Sequence, residues 1–138
     1  MDTIYIYAFA AGFLSTLTFH QGTLFVLHKA GLWPKPPWPM TPTEPLKIPA
    51  VISLALWGGV WGIALWYVVA AKFGMQYWIC ATAFGAIFPS LVALFVVFPL
   101  KGLPMAGGWS PKVIGAVLLL NGAWGLGVAV LMRVAASF

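Results

Sequence analysis

The chain has 138 residues, of which 62% are hydrophobic and only 7% charged, with seven Lys and Arg against two acids. A soluble domain is about 25% charged, so this composition excludes an ordinary water-soluble fold and points to a multi-pass membrane protein, as does the mean hydropathy of +0.99. The pI near 9.7 then describes sidedness and contact with anionic lipid, and no nucleic-acid partner is expected, because the sequence has no basic run and no aromatics interleaved with Arg.

The opening MDTIYIYAFAAGF carries Asp2 and no Lys or Arg, the wrong start for a cleaved secretory signal. It reads as the beginning of a first permanent span. Four apolar runs follow along one integral membrane domain covering 1–138: about 4–28, 48–71, 75–98 and 112–135. Each is near the ~20 residues that cross a ~30 Å hydrocarbon core. Backbone in lipid must satisfy its own hydrogen bonds, so the runs are expected to be helices. The alternating ten-residue segments of a barrel are absent. The expected fold is all-α, a four-helix transmembrane bundle.

Cations set the expected orientation. Lys29, Lys35, Lys47, Lys101 and Lys112 lie in or beside the loops after the first and third runs, whereas the other side has Lys72, Arg133 and Asp2. By the positive-inside rule those two loops face the cytoplasm and both termini the non-cytoplasmic side of the inner (plasma) membrane.

The loop 29–47 holds Pro34, Pro36, Pro37, Pro39, Pro42 and Pro45, each fixing φ and removing a donor, so it is expected to be extended and polyproline-like. Trp33 and Trp38 beside Lys35 suit the headgroup layer. The PxxP spacing from Pro34 to Pro37 is of the kind that presents a ligand to a partner, but a stiff interfacial strap is the stronger reading. The turn Lys72-Phe73-Gly74 is short enough to make the second and third runs antiparallel neighbours. In FPLKGLPMAGGWSP, Gly107 and Gly108 allow a tight bend, and Ser110 before Pro111 makes an N-cap and first-turn pair. A phosphate cradle there lacks the GK[ST] it needs.

Two stretches look alike. LWGGVWGIALW at 56–66 and LLNGAWGLGVA at 119–129 align without a gap, matching Gly59 with Gly122, Trp61 with Trp124 and Gly62 with Gly125. The second and fourth runs therefore look like counterparts, and the two hairpins would form a parallel repeat, although three identities in Gly- and Trp-rich helices also arise by chance.

Chemistry concentrates in STLTFHQGTLFVLH at 15–28. At ~100° per residue Gly12, Thr16, His20 and Thr23 share a face, Gln21 and His28 flank it, and Thr18 lies opposite. Polar groups avoid lipid tails, so the stripe turns inward or meets another chain. A rise of ~1.5 Å per residue sets His20 about 12 Å from one end of its run and Asn121 about 13 Å from the matching end of the fourth. The same count reaches Trp57 and Ser90, and Pro89 frees the Gly85 carbonyl as a further acceptor. The expected polar layer is His20, Gln21, Asn121, Ser90 and the Trp57 indole, with Thr16 and Thr23 beside it.

Two readings of that layer compete. Interhelical hydrogen bonds of about 0.6 kcal/mol each would fix helix register. Alternatively the layer is a site for a small polar ligand or a proton, as in a channel, carrier or ligand-binding protein, although a lone His without a membrane-embedded acid makes a poor proton-coupled carrier. His20 and His28 stand ~12 Å apart along one helix and cannot share a metal. A haem bridging two protomers through His20 is the weakest reading, and no cofactor is assigned. The serines lack a base and an orienting acid, and no nucleophile or metalloprotease motif occurs, so enzymatic activity is not expected.

The remaining motif is close packing. Gly58 and Gly62 form GxxxG, Ala81 with Gly85, Asn121 with Gly125 and Ala123 with Gly127 are small-xxx-small, and Gly122 belongs to the repeat. A surplus of such faces would make a homo-oligomer or dock onto a larger membrane complex. The leading expectation is thus a small non-enzymatic accessory or self-associating membrane subunit. The chain lacks the early membrane-embedded glutamate of small multidrug transporters. Its runs FHQG, FPLKG and AGGW resemble those of small bacterial inner-membrane proteins, a resemblance that implies no activity.

Overall fold

The computed structural model describes residues 3–138; Asp2, counted above with the termini, lies outside the described residues. The described chain is mostly helical. Helix α1 covers residues 3–29 as an α-helical Thr3–Ser15, a π-helical Thr16–His20 and an α-helical Gln21–Lys29. The joints at Ser15, His20 and Gln21 keep right-handed helical angles, so the axis runs on for about 40 Å. Helix α2 is Ala50–Val69, α3 is Gly74–Leu100 and α4 is Pro111–Ala136. These last three are long and apolar enough to cross a membrane, which makes this a membrane protein. Residues Ser15 to Gln21 leave α1 the most polar of the four.

The π segments have local causes. The Thr16, Thr18 and Thr23 hydroxyls donate to the carbonyls of Gly12, Leu14 and Phe19, four residues back, at 2.9, 2.7 and 2.7 Å. Such back-bonding competes with the helical ladder and loosens it. In α3 the π segment Ala93–Val97 begins four residues after Pro89, which has no N–H to give. Before α4 the chain turns through four left-handed residues, Ala106, Gly107, Gly108 and Trp109, at φ 54, 62, 68 and 61°. Gly107 is needed there twice over, since a Cβ would also run into Val113. The Ser110 hydroxyl then accepts from the Val113 N–H at 3.5 Å with Pro111 at the first helical position, the cap read from the sequence.

Helix α1 packs along α2 and along α4, and α3 packs along α4; α2 and α3 meet over a shorter stretch. The buried core consists of Ala8 and Ala11, Leu65 and Val69, Tyr77 and Ala81, and Trp124, Val128, Ala129 and Met132. Small residues set its spacing. A Cβ on Gly62 would stand 2.5 Å from the Ala8 carbonyl oxygen and 2.9 Å from Gly12 Cα, and one on Gly125 2.5 Å from the Ala81 oxygen and 3.1 Å from Gly85 Cα. A Cβ on Gly12 would strike the Gly58 carbonyl oxygen, and one on Gly85 would lie 2.6 Å from the Asn121 oxygen. The contacts of Ala8, Gly12, Gly58 and Gly62 are thus repeated by Ala81, Gly85, Asn121 and Gly125. The repeat read between α2 and α4 extends to α1 and α3 and to the geometry of each hairpin. It also uses up Gly58, Gly62, Gly85 and Gly125 inside the molecule, and Gly122 sits in ordinary contact with Ala86. The surplus of glycine faces expected for a second chain is not there at these positions.

The segment 30–49 differs from an extended polyproline strap. Pro42–Thr43 pairs antiparallel with Ile48–Pro49, so 48–49 belong to a small hairpin and not to the second helix. The Pro39 and Thr41 carbonyls accept from the Val51 and Ala50 N–H groups at 2.8 and 2.9 Å, tying the segment to the first turn of α2, whose N–H groups have no partners within the helix.

Candidate functional site

The polar layer exists, with one member exchanged. Trp38, from the strap, sends its backbone N–H to Gln21 Oε1 at 2.7 Å and its indole Nε1–H to the Leu17 carbonyl, within the π segment, at 2.9 Å. Gln21 is fully buried, and its Nε2 lies 2.9 Å from His20 Nδ1. The Asn121 carboxamide of α4 faces the His20 ring. Asn121 Nδ2 donates to Ser90 Oγ at 3.0 Å, and Ser90 donates onward to the Val117 carbonyl at 3.4 Å.

These bonds have a direction. The Trp38 N–H can only donate, so it fixes the Gln21 oxygen toward the strap and the NH₂ toward His20. His20 Nδ1 must therefore accept, which leaves its proton on Nε2 in the neutral ring. Of the Asn121 carboxamide only Oδ1 could accept that Nε2–H, because Nδ2 is committed to Ser90. Two hydrogen-bonded pieces, Trp38–Gln21–His20 and Asn121–Ser90–Val117, thus face each other between α1 and α4. A proton added at Nδ1 would oppose the Gln21 NH₂, and Gln21 cannot turn over without dropping Trp38. The arrangement holds histidine as a neutral hydrogen-bond relay. Among the described residues no buried side-chain nitrogen or oxygen is left without a partner.

Trp57 is not in this layer. It is 64% exposed and lines an apolar groove on α2 with Leu46 and Ile48, because Gly58, its neighbour, is the residue turned to α1. Thr16 and Thr23 satisfy their hydroxyls on their own helix and do not reach the relay. His28 is engaged outside it: Nδ1 donates to the Trp33 carbonyl at 2.9 Å, closing the start of the strap. His20 and His28 thus have separate partners, and no group of three metal-ligating side chains occurs among the described residues.

Two contacts escaped sequence reasoning. Ser15 Oγ donates to the Trp124 carbonyl at 2.7 Å, and Trp124 Nε1 donates to the Gly12 carbonyl at 3.0 Å, sealing α1 to α4. Trp124 was visible as a repeat partner of Trp61, but nothing in the pattern told which of the two had an acceptor. The fold-back of Trp38 had no sequence signal beyond an aromatic ring among prolines. It depends on a left-handed Trp38 at φ 52°, a conformation set by tertiary contacts.

The chain matches no family model, and comparison with curated proteins and with solved structures finds no similar chain.

Proposed function

We propose that this chain is a small non-enzymatic protein of the inner (plasma) membrane, crossing it with four helices packed as a bundle, and that it serves as an accessory or self-associating subunit. Helices α2, α3 and α4 meet the length and hydropathy of a span, and α1, at about 40 Å, is long enough to accompany them. Five of the seven cations lie in or beside the segments after α1 and α3, which supports an orientation with those segments in the cytoplasm and both termini opposite.

The observation that carries the non-enzymatic reading is the set of hydrogen bonds joining Trp38, Gln21 and His20 and, facing it, Asn121, Ser90 and Val117. Its donors and acceptors are used on one another, which is what register-fixing bonds need and what a substrate site does not have. Glu44, the one acid among the described residues, pairs with Lys47 on the surface and serves no serine. With the glycine faces spent inside, association with another chain would use the exposed apolar side chains of the helices, among them Ile6, Tyr67, Ile79 and Phe88.

The test is native mass spectrometry on protein extracted gently at native expression. Additional protein mass, or a defined multimer, together with a His20→Ala variant that loses only thermal stability, is the expected result. A bare monomer would remove the accessory role. A second reading, a small ligand-binding protein, channel or carrier, is favoured by one observation: the relay is closed from the strap side by Trp38 alone. A co-purifying small molecule lost in His20→Ala would establish it in place of the first.

A further inference from the structure

The groove that holds Trp57 has a composition of its own. It is about 340 Å³ and lies between the 42–49 hairpin and one face of α2, lined by Leu46, Ile48, Leu56, Trp57 and Val60 with the Ser53 hydroxyl among them. Ser53 to Val60 takes the groove about 10 Å along the helix, within the first half of α2. The hairpin is held over its mouth by the Thr43–Ile48 pairing and by the Thr43 hydroxyl donating to the Ile48 carbonyl at 2.7 Å.

Glu44 lines the mouth and Lys47 is joined to it at 2.9 Å, while their side chains remain 75% and 70% exposed. An ion pair so exposed contributes little and exchanges partners at small cost. The apolar trough thus begins at an exchangeable carboxylate and ammonium and runs down a membrane helix. We infer that this groove is a phospholipid site, taking an acyl chain against Leu56, Trp57 and Val60 and a zwitterionic amine headgroup whose ammonium meets Glu44 and whose phosphate meets Lys47.

The carboxylate decides the headgroup. A chain with a formal charge of +5 draws anionic lipid to its surface in general. Glu44 opposes that trend at this one place and offers an acceptor to a primary amine. The inference rests on α2 lying in the bilayer and holds with or without a protein partner.

The full chain, purified in mild detergent and equilibrated with equal amounts of phosphatidylethanolamine and phosphatidylglycerol, is examined by native mass spectrometry. One phosphatidylethanolamine per chain should persist. Trp57→Ala, at an exposed position that leaves the core untouched, should weaken its retention about tenfold, and Glu44→Gln should shift the retained lipid toward phosphatidylglycerol at unchanged helicity. Retention of phosphatidylglycerol by the unaltered chain, or retention indifferent to both substitutions, overturns the proposal. Loss of a protein partner would not affect this readout, so the site and the accessory role fail separately.

Discussion

In the α1–α2 hairpin Gly58 stands where the α3–α4 hairpin has Asn121, and the two hairpins diverge around that exchange. Both close on a small-residue square, Ala8 and Gly12 against Gly58 and Gly62 in one, Ala81 and Gly85 against Asn121 and Gly125 in the other. In the first, the space beside Gly58 is filled by the Thr16 hydroxyl. In the second, the Asn121 side chain reaches Ser90 and faces the His20 ring. The shared square uses the backbone of position 121, so its side chain was free to acquire another task.

The seams between hairpins diverge as well. Trp124 bonds the Gly12 carbonyl across α1 and α4, whereas its counterpart Trp61 rests edge-on against Phe84, with centroids 6.1 Å apart. One seam is fastened by directed hydrogen bonds and the other only by an aromatic contact, which agrees with the shorter meeting of α2 and α3. A repeat thus supplies equivalent positions, and neighbouring side chains decide which equivalents bond.

Breaking the squares should have the largest effect. Gly62→Val and Gly125→Val each force side-chain atoms onto a backbone oxygen that cannot retreat, and each should cost roughly 3 kcal/mol or more, read as a collapse of thermal stability in detergent. Similar losses at the two sites sustain the equivalence; tolerance at either one breaks it. Asn121→Leu comes next. It removes the exchange itself, takes the Asn121 donor from Ser90 and the carboxamide from beside the His20 ring, and should cost about 1–3 kcal/mol, whereas Gly58→Ala in the other hairpin would be opposed by sterics alone.

The seams offer a subtler comparison. Trp124→Phe should lose about 0.6–1.7 kcal/mol, the range of an interhelical hydrogen bond in a membrane, while Trp61→Phe, with no such bond to lose, should remain within about 0.5 kcal/mol. Equal losses would show that the seams are fastened alike. The smallest effect is expected at the strap. Trp38→Phe keeps the backbone bond to Gln21 and loses only the indole bond to Leu17, so global stability should hardly move while amide exchange at positions 38, 40 and 41 quickens. Unchanged exchange would mean that the indole does not fasten the strap.

Much of the fold was legible from local rules. Long apolar runs in a chain this poor in charge announce membrane helices, Ser110-Pro111 announces the start of α4, and depth counting set His20, Asn121 and Ser90 at one level. Trp57 failed because depth alone does not say which way a side chain points: the same turn of α2 gives its glycine to α1 and its tryptophan to the outside. The prolines of the strap were likewise read for their fixed φ, which says nothing of the left-handed residues that bring Trp38 back onto α1.

The sequence by itself determined membrane character, the helical runs, the level of the polar residues and the kinship of α2 with α4, because hydropathy, period and caps are properties of neighbours along the chain. Only the tertiary structure decided which tryptophan bonds, which glycine meets which carbonyl, and that the relay is closed by a residue from the strap. Those outcomes depend on where an acceptor lies across a helix interface, and no local pattern encodes that distance.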